Sequence, residues 1–334
     1  MENENYIDTN LITKQVLEIG QAADAGNIMP DIKGNGIALL KSFSSGITKN
    51  GNRKFTGILV NKAEVKFNVW NNSAAFRFLE ELAPNTAMLV VSVSYTVSKY
   101  GFVLDSLETV NGYDPNDFII HKYEIDDQIY EFEQALEDCK ASEKAIFIIK
   151  AILHLDECDD IFERFVNEYA ALVHHDNCSG GLLAHINKCL NIYDGIKSKY
   201  DFLSDEITND LMVIGIALHD IGKIFEMHNG VYREYSFITH RGLGFEYLIS
   251  FKDLIVCAYS EEIFYMISSI ILQHHGEYGE NPKTLYALLV HKIDEMEAAL
   301  TEIEETLENN ISITDSAGTK IKLNDSYFNI INTN

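Results

Sequence analysis

The chain has 334 residues, 46% of them hydrophobic and 11% aromatic, enough to bury the cores of two ordinary domains and too apolar for a disordered protein. Its formal net charge of −25 sits poorly with a protein that grips long duplexes by counterion release, and no apolar run reaches the length of a membrane span. The charge is lopsided: residues 1–115 carry 10 Lys/Arg against 12 Asp/Glu, whereas residues 116–334 carry 16 against 39. The five cysteines (Cys139, Cys158, Cys178, Cys189 and Cys257) are scattered and form no CxxC pair, so they read as reduced thiols. The opening MENENYIDTN is polar and acidic, unlike a secretory leader, and a cytoplasmic protein is expected.

In chain order, the text from 36 to 110 reads as short strands with turns between them: 36–43, 53–60, 64–70, 86–97 and 100–110. Between the third and fourth, NNSAAFRFLEEL (71–82) has capping residues followed by helical spacing at Ala75, Phe78, Leu79 and Leu82. Five strands with a helix after the third is the element order of an OB-like β-barrel, a fold used to bind single-stranded nucleic acid. On such a barrel the candidate substrate-binding residues are Phe43, Phe55, Phe67, Trp70, Tyr100 and Phe102 for base stacking, with Lys41, Lys54, Lys66 and Arg77 for the backbone. The competing reading is that most of these aromatics fill the barrel.

Beyond a polar, Pro-containing junction near 111–120 the pattern turns helical, over 126–138, 143–154, 159–173, 180–200, 207–220, 243–258, 261–275 and 282–309. Residues 311–331 alternate like a short β-hairpin. The expected fold class is therefore multidomain, α and β. It comprises a five-stranded barrel domain (1–115), an all-α helical bundle (116–310) and a C-terminal extension (311–334).

Of the 11 histidines, nine lie between 174 and 291, and most fall at predicted helix ends. VHHDNCSGGLLAH holds His174, His175 and His185; ALHDIGK holds His219 and Asp220; FITHRGLG holds His240. ILQHHGEYG holds His274 and His275, and LLVHKIDEM holds His291 and Asp294. Imidazole and carboxylate together suit Mn, Fe, Ni, Zn or Mg, and no thiolate set accompanies them. No GxxxxGK[ST] loop and no electropositive cysteine motif is present, which argues against ATP-driven or thiolate chemistry.

The order His185, His219–Asp220, Asp294, each on a different predicted helix, resembles the HD-domain metal-dependent phosphohydrolases. His240 and the pair His274–His275 resemble the members that hold more than one metal. The stretches HHDNCSGGLLAH, LHDIGK and HHGEYG…ALLVHKIDEMEAAL look like those of the YhaM-type 3′-to-5′ exoribonucleases, which place an OB-type domain ahead of the HD domain. The resemblance covers roughly 36–309 and implies two divalent ions, Mn²⁺ first among several, sharing Asp220. His185, His219 and Asp294 would complete one position; His240, His274 and His275 would complete the other. It further implies a catalytic set of Asp220, Lys223, His174 and His175, with Lys223 reaching a bridging water or a phosphate oxygen. Water attack would then release nucleoside 5′-monophosphates from single-stranded RNA, or DNA. His291, Asp176 and Glu277 could orient ligands, and His228 could line a substrate rim.

Two other readings stay open: a phosphodiesterase for cyclic or short linear oligonucleotides, and a non-catalytic protein stabilised by metal. Related proteins form rings or dimers, so a homo-oligomer is a possible partner state, while no membrane partner is expected.

Overall fold

The structure, a computed structural model, describes residues 6–24, 26–82, 88–119, 121–171, 176–233, 237–276, 279–308, 312–315, 318–323 and 326–330. The chain divides into two compact units, Met1–His121 and Lys122–Asn334.

The first unit runs α1 (Thr9–Asp24), β1 (Ile32–Ile47), β2 (Arg53–Val60), β3 (Glu64–Trp70), α2 (Ala74–Glu81), β4 (Leu89–Ser98) and β5 (Gly101–Thr109). The long strand β1 pairs with β2 through its second half and with β4 through its first. A register shift between Leu40 and Ser42 bends it where the two pairings meet. The five strands consequently close on themselves in the order β1-β2-β3-β5-β4, with one parallel pairing, Asn68 to Val103. Strand alternation sends Val65, Phe67 and Val69 inward, against Phe55, Phe76 and Phe102. The Ser73 hydroxyl accepts from the Phe76 amide and starts α2 where the Asn/Ser run predicts it. Helix α1 is an addition to the expected elements. The Asp8 carboxylate accepts from the Leu11 amide at its start, and Ile12 and Ile19 are buried in the same core as Ile7.

The second unit holds α3 (Ile125–Asp138), α4 (Glu143–Leu153), α5 (Asp160–Asn167), α6 (Gly181–Lys197), α7 (Glu206–Leu218) and α8 (Lys223–Glu226). A two-stranded hairpin, β6 (Met227–His228) and β7 (Val231–Tyr232), precedes α9 (His240–Ile249), α10 (Lys252–Ala258), α11 (Glu261–Gln273) and α12 (Leu285–Glu308). Helix α7 is apolar on every side from Leu211 and is buried from Asn209 onward, so it forms the axis of the unit. Its neighbours supply the apolar shell: Ile148, Ile149 and Ile152 from α4, Ile186 and Leu190 from α6, and Ile267, Ile270 and Ile271 from α11.

Three expectations shift. The helix read over 243–258 begins at His240 and breaks at Ser250–Phe251 into α9 and α10. The helix read over 159–173 stops at Asn167, because the buried Glu168 carboxylate accepts the backbone amides of Tyr169, Asn229 and Gly230 instead of facing solvent. The C-terminal hairpin is a three-stranded sheet, β8 (Ser312–Asp315), β9 (Gly318–Leu323) and β10 (Ser326–Ile330), in the order β10-β9-β8. Among the described residues no helix is long and apolar enough to cross a membrane.

Candidate metal centre

The apolar run of α7 ends at Leu218, and the backbone turns through residues 219–222 before α8 starts at Lys223. That ending lets two adjacent side chains, His219 and Asp220, serve one centre, which mid-helix neighbours could not do. Gly222 has ordinary right-handed helical angles, so its role is space: a Cβ there would overlap the carbonyl oxygen of His240 and crowd the amide of Gly244. The first turn of α9, carrying His240, comes this close because residue 222 has no side chain.

Two groups of side chains meet on Asp220. The Nε2 atom of His185, on α6, lies 3.3 Å from His219 Nε2, 3.3 Å from Asp294 Oδ1 on α12 and 3.8 Å from Asp220 Oδ2. His219 Nε2 is 3.4 Å from the same Asp220 oxygen. On the other side, Asp220 Oδ1 lies 3.6 Å from His240 Nε2 and 3.4 Å from His274 Nε2, and His240 Nε2 is 2.9 Å from His275 Nε2. Each Asp220 oxygen thus faces one group. His185, His219, Asp220 and His274 are buried, while His240, His275 and Asp294 are partly accessible.

The outer nitrogens explain why the inner ones face each other. His219 Nδ1 donates to the Ile216 carbonyl at 2.8 Å and His274 Nδ1 to the Ile271 carbonyl at 3.0 Å. His185 Nδ1 bonds Glu297 Oε2 at 2.5 Å, and His240 Nδ1 bonds Glu226 Oε2 at 2.9 Å. With the Nδ1 atoms donating outward, four Nε2 atoms converge on the two groups. Burial opposes a charge on His185, but Cys189 and the Asp294 and Glu297 carboxylates raise the metal-free imidazole well above its ordinary value, so a positive charge already sits where a cation would replace it. Two buried atoms, Asp220 Oδ1 and His274 Nε2, have no hydrogen-bond partner among the described residues. Orphaned acceptors of this kind, in a set of imidazoles and carboxylates, fit divalent ions. Asp220, His240, His274 and His275 form one donor cluster, and His185, His219 and Asp220 another. Asp294 joins the second cluster through its contact with His185.

Electrostatics agree with this division. Burial raises the Asp220 carboxyl, but Lys223, whose Nζ is 2.6 Å from Oδ2, and the surrounding imidazoles hold it well below the usual carboxylate range. Burial, only partly offset by Asp220, pushes the His219 imidazole down to about 4; burial and then His274 push His275 down to about 3. Between the ordinary value of 6.5 and the folded value of about 4, the unfolded chain holds a proton at residue 219 that the folded chain excludes. Stability is therefore full above about pH 6.5 and is lost as the pH falls toward 4, by on the order of 2–3 kcal/mol from His219. Thermal melts of metal-free protein are expected to drop steeply across that window, and the His219→Asn variant to flatten the drop. An unchanged pH profile in the variant would refute the assignment.

The other expected site residues fall less evenly. His174, His175 and Glu277 lie outside the described residues. Lys223 is mostly buried on Asp220. His291 donates from Nδ1 to the His274 carbonyl at 2.6 Å, so it holds the backbone of a candidate ligand rather than Asp294. Asp176 is fully buried and pairs with Lys188 at 2.9 Å, whereas His228 is exposed at the end of β6, opposite Val231. Glu226 and Glu297 were not among the expected residues. The legible signal for Glu297 is its place one turn beyond Asp294 on the same helix face; nothing in the sequence marks Glu226.

In the first unit, three of the proposed stacking aromatics must be withdrawn from the surface. Phe67 (1% exposed), Phe102 (1%) and Phe55 (6%) point into the closed sheet, where alternation and the facing Val69 hold them. Lys41 is likewise buried, paired with Glu64 at 2.6 Å. Phe43 is half-buried, with its ring edge-on to Phe55. The outer face keeps Trp70 opposite Lys54, with Lys66 and Arg77 exposed and Tyr100 64% exposed. Trp70 also walls a cleft of about 400 Å³ with Thr48, Lys49, Asn50, Asn52 and Asn71, none of them acidic.

Residues 182–299 match the family described as HD domain, and the second unit carries that domain. With the His/Asp constellation inside it, this is the domain of a metal-dependent hydrolase. Among curated proteins the chain is similar to the 3′-5′ exoribonuclease YhaM of Bacillus subtilis, 26% identical over 288 residues that cover 81% of this chain and 86% of that protein. It is also similar to the 3′-5′ exoribonuclease YhaM of Listeria welshimeri (26% over 153 residues, 43% of this chain and 47% of the relative) and of Bacillus velezensis (29% over 154 residues, 43% and 46%). The alignments to the Listeria and B. velezensis proteins thus span about half the length of those relatives. No solved structure matches the chain.

Proposed function

We propose that the chain is a 3′-to-5′ exonuclease that removes nucleoside 5′-monophosphates from single-stranded RNA, with DNA as a secondary substrate. The reading rests above all on one observation: two sets of imidazole and carboxylate donors meet on Asp220, one set at each oxygen. Its likeness to YhaM over most of its length supports RNA as the substrate. Two divalent ions, of which Mn²⁺ is the one to test first, would supply an activated water and neutralise the phosphate as it gains charge. His185, His219 and Asp294 would hold one ion and His240, His274 and His275 the other, with Asp220 between them. The chain's own contribution is to fix these donors before substrate arrives and to bring a single ammonium, Lys223, to the phosphate. We set the reaction in the cytoplasm, in keeping with five free cysteines.

The first unit would act as an OB-type strand-binding module. Stacking on Trp70 and Tyr100, with Lys54, Lys66 and Arg77 against phosphates, is the physics available on its outer face. Trp70→Ala is expected to weaken binding of a long RNA about tenfold, within the range of one lost base stack, while leaving turnover of a dinucleotide unchanged. Equal losses on both substrates would end the stacking proposal.

The test of the function is a 5′-labelled RNA oligonucleotide with a 3′-hydroxyl, incubated with protein and Mn²⁺. A ladder shortening from the 3′ end, blocked by a 3′-phosphate, is expected. The acidity of residues 116–334 favours one rival, hydrolysis of a cyclic or short linear oligonucleotide that needs only a local positive site. Intact RNA beside rapid cleavage of a cyclic dinucleotide would establish that rival instead.

A further inference from the structure

Helices α6 and α12 face each other with matched stripes of polar residues in an otherwise apolar core. On α6, His185 and Lys188 are three residues apart; on α12, Asp294, Glu297 and Thr301 follow at one-turn intervals. Glu297, 1% exposed, bonds His185 Nδ1 through Oε2, and its Oε1 accepts from the Thr301 hydroxyl at 2.6 Å and lies 3.5 Å from Lys188 Nζ. The same ammonium reaches on to both oxygens of Asp176, at 3.0 and 2.9 Å, and to Thr301 Oγ1 at 3.1 Å. Asp176 is itself fully buried and accepts from the Tyr123 hydroxyl at 2.5 Å. A continuous line therefore runs Tyr123, Asp176, Lys188, Glu297, His185, wholly within the helical unit.

Stability alone gives a poor account of this line. Burying two carboxylates against an ammonium that is itself only partly covered carries a desolvation cost, and apolar residues of similar volume serve a core as well or better. What such a network does supply is a fixed geometry. Lys188 hydrogen-bonds Asp176 and pairs electrostatically with Glu297 at 3.5 Å, so Glu297 cannot turn away from His185 without abandoning the Thr301 hydroxyl and moving off the ammonium. His185 is thereby held with Nδ1 outward and Nε2 toward Asp294 and His219.

We propose that Asp176, Lys188 and Glu297 are positioning residues that set the affinity of the first ion position by locking His185, and that they touch neither ion nor substrate. Glu226 has the matching role for His240 at the second position, without any comparable chain behind it among the described residues. The inference rests on the two-ion reading above, and it separates the two positions: damage to the Glu297 line should weaken one ion and spare the other.

The test is a Mn²⁺ titration of the full chain followed by electron paramagnetic resonance of free Mn²⁺, alongside melting of the metal-free protein. Wild type should take up two ions. Glu297→Gln and Lys188→Met should each weaken one of them by about 10–100-fold and leave the other at wild-type affinity. Lys188→Arg should recover most of the loss, and Thr301→Val, which removes only a hydroxyl and guards against misfolding of the charged variants, should lose a few-fold. Glu226→Gln should weaken the ion that Glu297→Gln spares. Wild-type affinity for both ions in folded Glu297→Gln protein would overturn the proposal, as would equal weakening of both ions with a lowered metal-free melting temperature. A wild-type protein that takes up no Mn²⁺ would instead bring down the two-ion reading itself.

Discussion

The Asp220→Asn variant is expected to retain neither ion and to lose hydrolysis on the order of 10³-fold, the scale on which a preorganised electrostatic element acts. The substitution keeps the shape of the side chain and changes only its charge and one of its two acceptors. Both matter here. Oδ1 faces His240 and His274 while Oδ2 faces His219, His185 and Lys223, so an amide must present its NH₂ to one group and leaves neither oxygen position charged. The variant also strands the Lys223 ammonium, which is mostly buried and pairs with Asp220 at 2.6 Å. Breaking one side of a buried pair costs about 3–5 kcal/mol, so the metal-free variant should melt well below metal-free wild type. Metal analysis of dialysed protein, run beside a melt, checks both parts. Two retained ions would remove Asp220 from the centre of the scheme.

Gly222→Ala should be nearly as damaging for a different reason. A Cβ at residue 222 meets backbone, the His240 carbonyl and the Gly244 amide, and backbone cannot swing aside as a long side chain can. Helix α9 must then retreat, taking His240 from Asp220 and from His275. Overpacking of this kind costs about 1–3 kcal/mol, and for a unit of this size each kcal/mol lowers the melting temperature by about 2–4 °C. The more telling readout is selective: the second ion should be lost while the first stays, with activity down about 10²-fold or more for a ligand displaced by even 1 Å. A variant that keeps both ions and wild-type activity would show that the close approach of α9 is not needed.

Much of this centre was legible because its chemistry is dense in uncommon residues. Imidazoles at the ends of several apolar helices have few structural uses, and the same positions that read as candidate ligands, from His185 to Asp294, lie within a few ångströms of one another. Their carboxylate partners were harder to see. Glu297 sits in the acidic run 294–308, where a buried glutamate looks like its exposed neighbours, and Glu226 stands in no motif that would mark it. Only the packing of α12 on α6, and of α9 on α8, sets them apart.

In the sheet unit, period-two alternation located the strands but not the faces. Phe67 and Trp70 differ by three positions and therefore point to opposite sides of β3, yet composition alone offered both as stacking platforms. The cross-strand register decides between them, since it puts Phe67 beside the bare Gly57 within the core and Trp70 beside Lys54 outside it. Helix α1 escaped notice because only a few of its apolar side chains meet the core and the rest of its surface reads as polar linker. The two-part break at Ser250–Phe251 has no proline or glycine to announce it.

The central claim, two ions divided by one carboxylate, is tested most directly by anomalous diffraction at the manganese edge from crystals grown with Mn²⁺. Two peaks are expected, one among His185, His219, Asp294 and Asp220 Oδ2, the other among His240, His274, His275 and Asp220 Oδ1. A single peak, or two peaks that leave either oxygen of Asp220 unliganded, would contradict the account.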